Sequence, residues 1–179
     1  MENVVYFDLE TQKSLQQVGG YTKIHELKVS IAVTYSTKEH QYRIYLEDEV
    51  SDLIANLSRA SLVVGYNLLN FDYRVLSAYS ILDLSQIPTL DMMVEIEKTL
   101  GIRLKLDSIA QATLGIGKTA EGMDALKWFQ QGKWAEIAEY CCYDVKVTRL
   151  LHEFAQKHQQ LFYLEKASGA RRSIPIVCR

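Results

Sequence analysis

Apolar and polar residues change rhythm along this chain, and the changes predict its elements. Residues 3 to 9 carry an apolar run that reads as a strand. In LKVSIAVTY (27 to 35), Val29, Ile31, Val33 and Tyr35 alternate with smaller or polar residues, and QYRIYL (41 to 46) also reads as a strand. Gly19-Gly20 predicts a loop between the first two strands. Residues 47 to 59 suit a helix, SLVVGY (61 to 66) a short buried strand, FDYRVLSAY (71 to 79) a helix and IPTL (87 to 90) a further strand. From Asp91 to residue 158 the pattern is helical, broken at Gly101, at Gly115 to Gly117 and at Gly132. The tail FYLEKASGARRSIPIV suits a terminal hairpin whose Pro175 confines its strand to an edge.

Three early strands, a strand after a helix and a helical second half predict an α/β fold, a mixed sheet flanked by helices. With 179 residues and 48% apolar composition the chain fits one domain, 1 to 179, with a full core. Pro88 and Pro175 are isolated, and no repeat or low-complexity stretch suggests an array or a disordered arm. The start MENVVYFD lacks a basic leader region, and apolar runs such as SLVVGYNLL fall short of the roughly 20 residues a membrane span needs, so a cytoplasmic protein with no membrane partner is expected. Three cysteines, two of them adjacent (Cys141 and Cys142), offer neither a disulfide framework nor a paired metal spacing. A net charge of -2 argues against bulk electrostatic capture of nucleic acid, leaving such contacts to a local basic patch or to bound cations.

Three clusters carry chemistry. In MENVVYFDLET, strand alternation sends Asp8 and Glu10 to one face and Leu9 to the other, into packing. Two unshielded anions so close repel; either water screens them at the strand end or a multivalent cation lies between, and hard ions such as Mg²⁺ take oxygen ligands. In GYNLLNFDYRVL, Asp72 opens a predicted helix after a loop holding Gly65, Asn67 and Asn70; alone it is a carboxylate near a helix dipole. In YCCYDVKVTRLL, Tyr140 and Asp144 are four apart on a helix and share a face; alone they are a tyrosine bonded to its neighbouring aspartate. Each cluster falls on a different element, so all three can converge at one edge of the sheet.

D-x-E ending a first strand, then N-x-x-x-F-D, then Y-x-x-x-D on a late helix resemble the three motifs of the DEDD superfamily of 3′-to-5′ exonucleases, which share the ribonuclease H-like fold. The Tyr four residues before the last Asp resembles the tyrosine branch; the histidine branch has His five before it, where this chain has Glu139. GYNLLNFD and YCCYD are most similar to the exonuclease domains of family B DNA polymerases and their stand-alone relatives, and the likeness runs from residue 6 to residue 149. With nothing after residue 179 to form a polymerase domain, proofreading in cis is not expected, and a helicase or polymerase acting in trans is the partner class. The resemblance implies hydrolysis from the 3′ end of single-stranded nucleic acid, DNA ahead of RNA, with two divalent cations, Mg²⁺ or Mn²⁺. It implies that Asp8 bridges the ions, that Glu10 and Asp144 complete the site activating the attacking water, and that Asp72 holds the second ion directly or through water. Tyr140 then orients that water; a phenol with a pKa near 10 is too rarely ionised to be the base.

Lesser candidates follow from the same resemblance. Asn67 and Phe71 match motif positions that contact the terminal nucleotide, although a loop Asn capping the backbone and a core Phe are equally ordinary roles. Leu9, between the two acids, and Thr11, just after them, are implied substrate contacts, with a plain strand-end hydroxyl the alternative for Thr11. Lys118 in GIGKT is implied to touch a substrate phosphate; it is not a phosphate loop, because Ala112 stands where that pattern has Gly and a helix precedes it. Asp91 reads as a helix cap rather than a fifth ligand. His25, His40, His152 and His158 have no ligand spacing and read as surface residues. Two alternatives remain: an inactive fold of this kind serving as a nucleic-acid-binding scaffold, against which the intact carboxylates argue, and a ribonuclease H-type endonuclease, which does not call for Y-x-x-x-D.

Overall fold

The computed structural model describes residues 2–117, 122–165 and 167–176. In chain order the elements are β1 (Val4–Thr11), α1 (Leu15–Val18), β2 (Val29–Ser36), β3 (Gln41–Leu46), α2 (Val50–Ser58), β4 (Leu62–Gly65), α3 (Asp72–Leu76) and β5 (Thr89–Asp91). The second half holds α4 (Met92–Leu100), α5 (Leu106–Leu114), α6 (Gly122–Gln130), α7 (Trp134–His158), β6 (Gln160–Leu164) and β7 (Arg171–Pro175). Five strands form one mixed sheet in the order β3-β2-β1-β4-β5. The β1, β2 and β3 pairings are antiparallel, whereas β4 and β5 run parallel to β1. This is the α/β sheet flanked by helices that the sequence predicts.

Alternation along β1 splits the interior into two layers. Val5, Phe7 and Leu9 point to one face and pack with α2 and α3. Tyr6 points to the other, covered by α4, α5, α6 and α7, and Asp8 and Glu10 share that face. Buried aliphatic and aromatic side chains of this kind each contribute about 1.5–3 kcal/mol.

The strand reaches further than its apolar run. Asp8 pairs with Val33 and Glu10 with Ile31, so the acid pair lies inside the ladder rather than at its end. The register then shifts between Glu10 and Thr11, whose partner is Val29, leaving Ser30 as the extra residue of a bulge. Charged side chains end an apolar pattern, but the backbone can go on pairing beneath them.

Other differences are local. The expected loop around Gly19-Gly20 contains α1, closed by a Ser14–Gln17 capping box, and a 3-10 turn at Tyr21–Glu26. Both are too short for a periodic signal, yet Val18 and Ile24 are buried against the first layer. The helix expected over 71 to 79 is only α3, and Glu47–Glu49 form a 3-10 turn ahead of α2. Gly101 and Gly115 end α4 and α5 in the left-handed region, at φ 70° and 71°.

The 25-residue α7 spans about 37 Å and crosses the sheet. It also corrects one expectation: His152 is fully buried, and its Nδ1 lies 2.9 Å from the Tyr6 hydroxyl of β1. A lone histidine gives no periodic signal, and the register of α7 on the sheet turns this one inward. His25, His40 and His158 are exposed. The tail forms the expected hairpin, a separate two-stranded sheet with Pro175 opposite Gln160 at its last pair. It is fastened to α5, where Thr113 Oγ1 accepts the Phe162 N–H at 2.9 Å. Among the described residues no helix is long and apolar enough to cross a membrane.

Candidate metal centre

Three elements deliver carboxylates to one point. β1 brings Asp8 and Glu10 on its helix-covered face, and the first half of α7, packed across that face, brings Asp144. One oxygen from each lies within 4.8 Å of the others. Asp72, the first residue of α3, is buried beside them, and its Oδ1 accepts the Leu9 N–H at 3.2 Å. It stands outside that three-residue ring while its charge bears on both Asp8 and Glu10.

Crowded anions out of water resist ionisation. Burial, then the charges of Asp72, Asp144 and Glu10, lift the Asp8 carboxyl well above its ordinary range. Glu10 is raised by burial and by Asp144 and Asp72, and Asp72 chiefly by burial. Asp144 is raised to about 7 by burial and by nearby Asp107, with a hydrogen bond from Tyr140 opposing the shift. Burial and the adjacent acids push the Tyr140 phenol far above its ordinary value, so it stays a donor. Its ring is half-buried and meets Trp128 edge-on at 6.2 Å. An all-oxygen donor set that needs positive charge to ionise together fits a hard divalent cation.

The substrate candidates divide. Thr11 and Phe71, which directly follow Glu10 and precede Asp72 in the chain, line one groove of about 340 Å³ with Lys13, Leu15, Met123 and Leu126. Thr11 is buried there and its hydroxyl donates to the Lys13 carbonyl at 2.9 Å; the half-buried Phe71 ring rests on the first core layer. Leu9 points into packing, as its strand alternation predicts. Its N–H is given to Asp72, so it braces the site from within. Asn67 adopts a left-handed backbone at φ 71°, and its side-chain oxygen accepts from Arg103. Lys118 lies outside the described residues.

Three contributors have no motif. Cys141 is fully buried and its Sγ donates to both the carbonyl and the Oδ2 of Asp8, each at 3.4 Å. Its place three residues before Asp144 on one helix was the available signal. Asp91 does cap α4, accepting from Met93 N and Val94 N, but it also accepts Asn67 N at 2.8 Å and Leu69 N at 3.0 Å, which fixes the loop leading to Asp72. Arg103 reaches Asn67 from the loop after α4, a contact that nothing in the local pattern announces.

Known proteins share this arrangement at the level of fold. Residues 5–156 match the family model described as the RNase H superfamily. Among solved structures the chain is similar to the family B DNA polymerase from the hyperthermophilic archaeon Pyrobaculum calidifontis, with a TM-score of 0.65 and 16% identity over 87% of this chain. It spans about a quarter of that polymerase, 24% of its length. No protein of curated function matches the chain in sequence.

Proposed function

The chain belongs to the RNase H superfamily, and from that premise we propose that it is a metal-dependent 3′-to-5′ exonuclease of the tyrosine branch, acting on single-stranded nucleic acid, DNA ahead of RNA. The observation that carries this reading is the carboxylate ring: oxygens of Asp8, Glu10 and Asp144 within 4.8 Å of one another, with Asp72 braced beside them by the Leu9 N–H. In this proposal Asp8, Glu10, Asp72 and Asp144 hold two divalent cations, Mg²⁺ or Mn²⁺. Bound there, such ions acidify an attacking water and neutralise charge developing on the phosphate.

The remaining roles belong to the chain. Tyr140, kept protonated, donates to Asp144 and orients the attacking water from the same face. Cys141 limits the rotation of the Asp8 carboxylate through its 3.4 Å contact. The groove between Thr11 and Phe71 receives the terminal nucleotide, with Asn67 at its loop and Lys118 assigned to a substrate phosphate. A helicase or polymerase supplying the 3′ end in trans is the partner proposed.

The test is a 5′-labelled single-stranded oligonucleotide, in DNA and RNA versions, with Mg²⁺ or Mn²⁺. It should shorten as a ladder from its 3′ end, stop when a chelator is added, and resist when the last linkage is a phosphorothioate of the uncleaved configuration. Internal cuts in a circular strand would show an endonuclease instead. Binding without cleavage under every divalent ion would show a scaffold.

A further inference from the structure

We propose that a second groove, on the β3 side of the carboxylate ring, is a base-stacking subsite that takes a nucleobase on the 5′ side of the cut; this rests on the exonuclease reading. The groove encloses about 740 Å³ and is bounded by Gln12, Lys28, Ser30, Glu47, Phe129 and Trp134. Its wall is the turn between α6 and α7, where Phe129 and Trp134 meet at right angles with ring centroids 5.3 Å apart. Trp134 is 46% exposed. An edge-to-face aromatic pair with one open ring offers a face on which bases of a single strand can stack.

Position ties the groove to the site. Trp134 begins the helix that carries Tyr140 six residues later, a rise of about 9 Å. Gln12 lies two residues beyond Glu10 on the same chain segment. Across the sheet Glu10 pairs with Ile31 and Ile31 with Leu46, which borders the groove, so two strand spacings of about 4.8 Å separate the acid from its rim. The α6 helix borders both grooves, lining the second with Phe129 and the Thr11–Phe71 groove with Met123 and Leu126. A strand whose terminal nucleotide occupies that groove would carry its next bases toward Trp134.

Charge decides which part of a nucleotide the groove accepts. Among the described residues that line it, Glu47 and Asp48 stand against one cation, Lys28, whose Nζ is already 3.4 Å from Glu47. Gln12 and Tyr79 also donate to Glu47, at 2.6 and 2.8 Å, so this carboxylate is a fixed part of the rim. A phosphate is repelled from such a rim and a neutral base is not. The bulge residue Ser30 borders the groove with its hydroxyl buried beneath the surface.

The experiment uses the full chain and single-stranded oligonucleotides in which one abasic residue is moved through the last five positions. In the parent, an abasic residue at one interior position should raise the half-saturating concentration about tenfold, as for loss of one base–aromatic stack. Trp134→Ala should raise it about tenfold on the intact strand and remove the abasic penalty at that position, while Trp134→Phe should restore most of both. Because Trp134 is nearly half exposed, its truncation leaves the core intact. An unchanged half-saturating concentration in Trp134→Ala, or an abasic penalty equal in parent and variant, overturns the subsite. A parent that shortens no strand overturns the exonuclease reading instead; the same coupling, measured by fluorescence anisotropy of the labelled strands, then still decides for or against the groove.

Discussion

The Asp72 carboxylate accepts the backbone N–H of Leu9, the residue between Asp8 and Glu10, at 3.2 Å. One acid therefore braces the strand that presents two others, and its oxygen and its charge have separable effects. Asp72→Asn keeps an acceptor for Leu9 and removes one buried anion, so the metal-free protein should melt at or above the parent temperature. Asp72→Ala orphans a buried N–H and should lose about 1–3 kcal/mol. Both should cut strand shortening at least a hundredfold. Urea melts in chelator beside the ladder assay check this; an active Asp72→Asn would remove Asp72 from the proposed metal set.

Tyr140 has a narrower role, because its hydroxyl bonds to Asp144 and its phenol titrates far above neutrality. Tyr140→Phe should slow single-turnover cleavage by about 10- to 1,000-fold, roughly 1.4–4 kcal/mol of barrier, with Mn²⁺ affinity nearly unchanged. Calorimetric titration of the ion beside the rate separates the two effects. A variant as fast as the parent would leave Tyr140 a packing residue against Trp128.

What the sequence reveals follows from which physical signals are local. Period-two and helical spacing put Asp8 with Glu10 and Tyr140 with Asp144 on common faces, and those are the residues found around the acid ring. The length of β1 was not legible, because its ladder with β2 continues under charged side chains. Nor were the Asp91 bonds to Asn67 and Leu69, which depend on the path of a loop, or the buried His152, whose orientation is set by the packing of α7 against Tyr6. Cys141 and Arg103 act through contacts between residues far apart in the chain.

Gly65 ends β4 where a Cβ would collide with the side chain of the fully buried Leu68. Leu68 has no room to retreat, and its carbonyl accepts the Tyr73 N–H at 2.9 Å, so a push on it is passed to the start of α3. Gly65→Ala should destabilise by about 1–3 kcal/mol and weaken cleavage through displaced Asp72. A thermal melt at the parent temperature would mean that the loop yields freely.

Stability should depend on pH through two opposed sets of groups. Asp8, Glu10, Asp72 and Asp144 have carboxyl pKa values raised in the fold, Asp144 to about 7. Between their unfolded values near 4 and these raised ones, the metal-free fold binds more protons than the unfolded chain, so it loses stability as pH rises through that window. Burial lowers His152 to about 4, below its unfolded value near 6.5, so its contribution runs the other way and is lost as pH falls between those values. Above pH 6.5 the histidine contribution is nearly complete and the carboxylates dominate, so the melting temperature in chelator should fall from pH 6.5 to pH 8. Adding Mg²⁺ should shrink or reverse that fall, because the ion binds the deprotonated ring. His152→Leu should leave the fall above pH 6.5 in place and cost less stability at pH 5 than at pH 7.5, since the parent alone carries the penalty of keeping that imidazole neutral in acid. A metal-free melting temperature that is flat from pH 6.5 to pH 8 would mean that Asp144 is not held protonated by its neighbours.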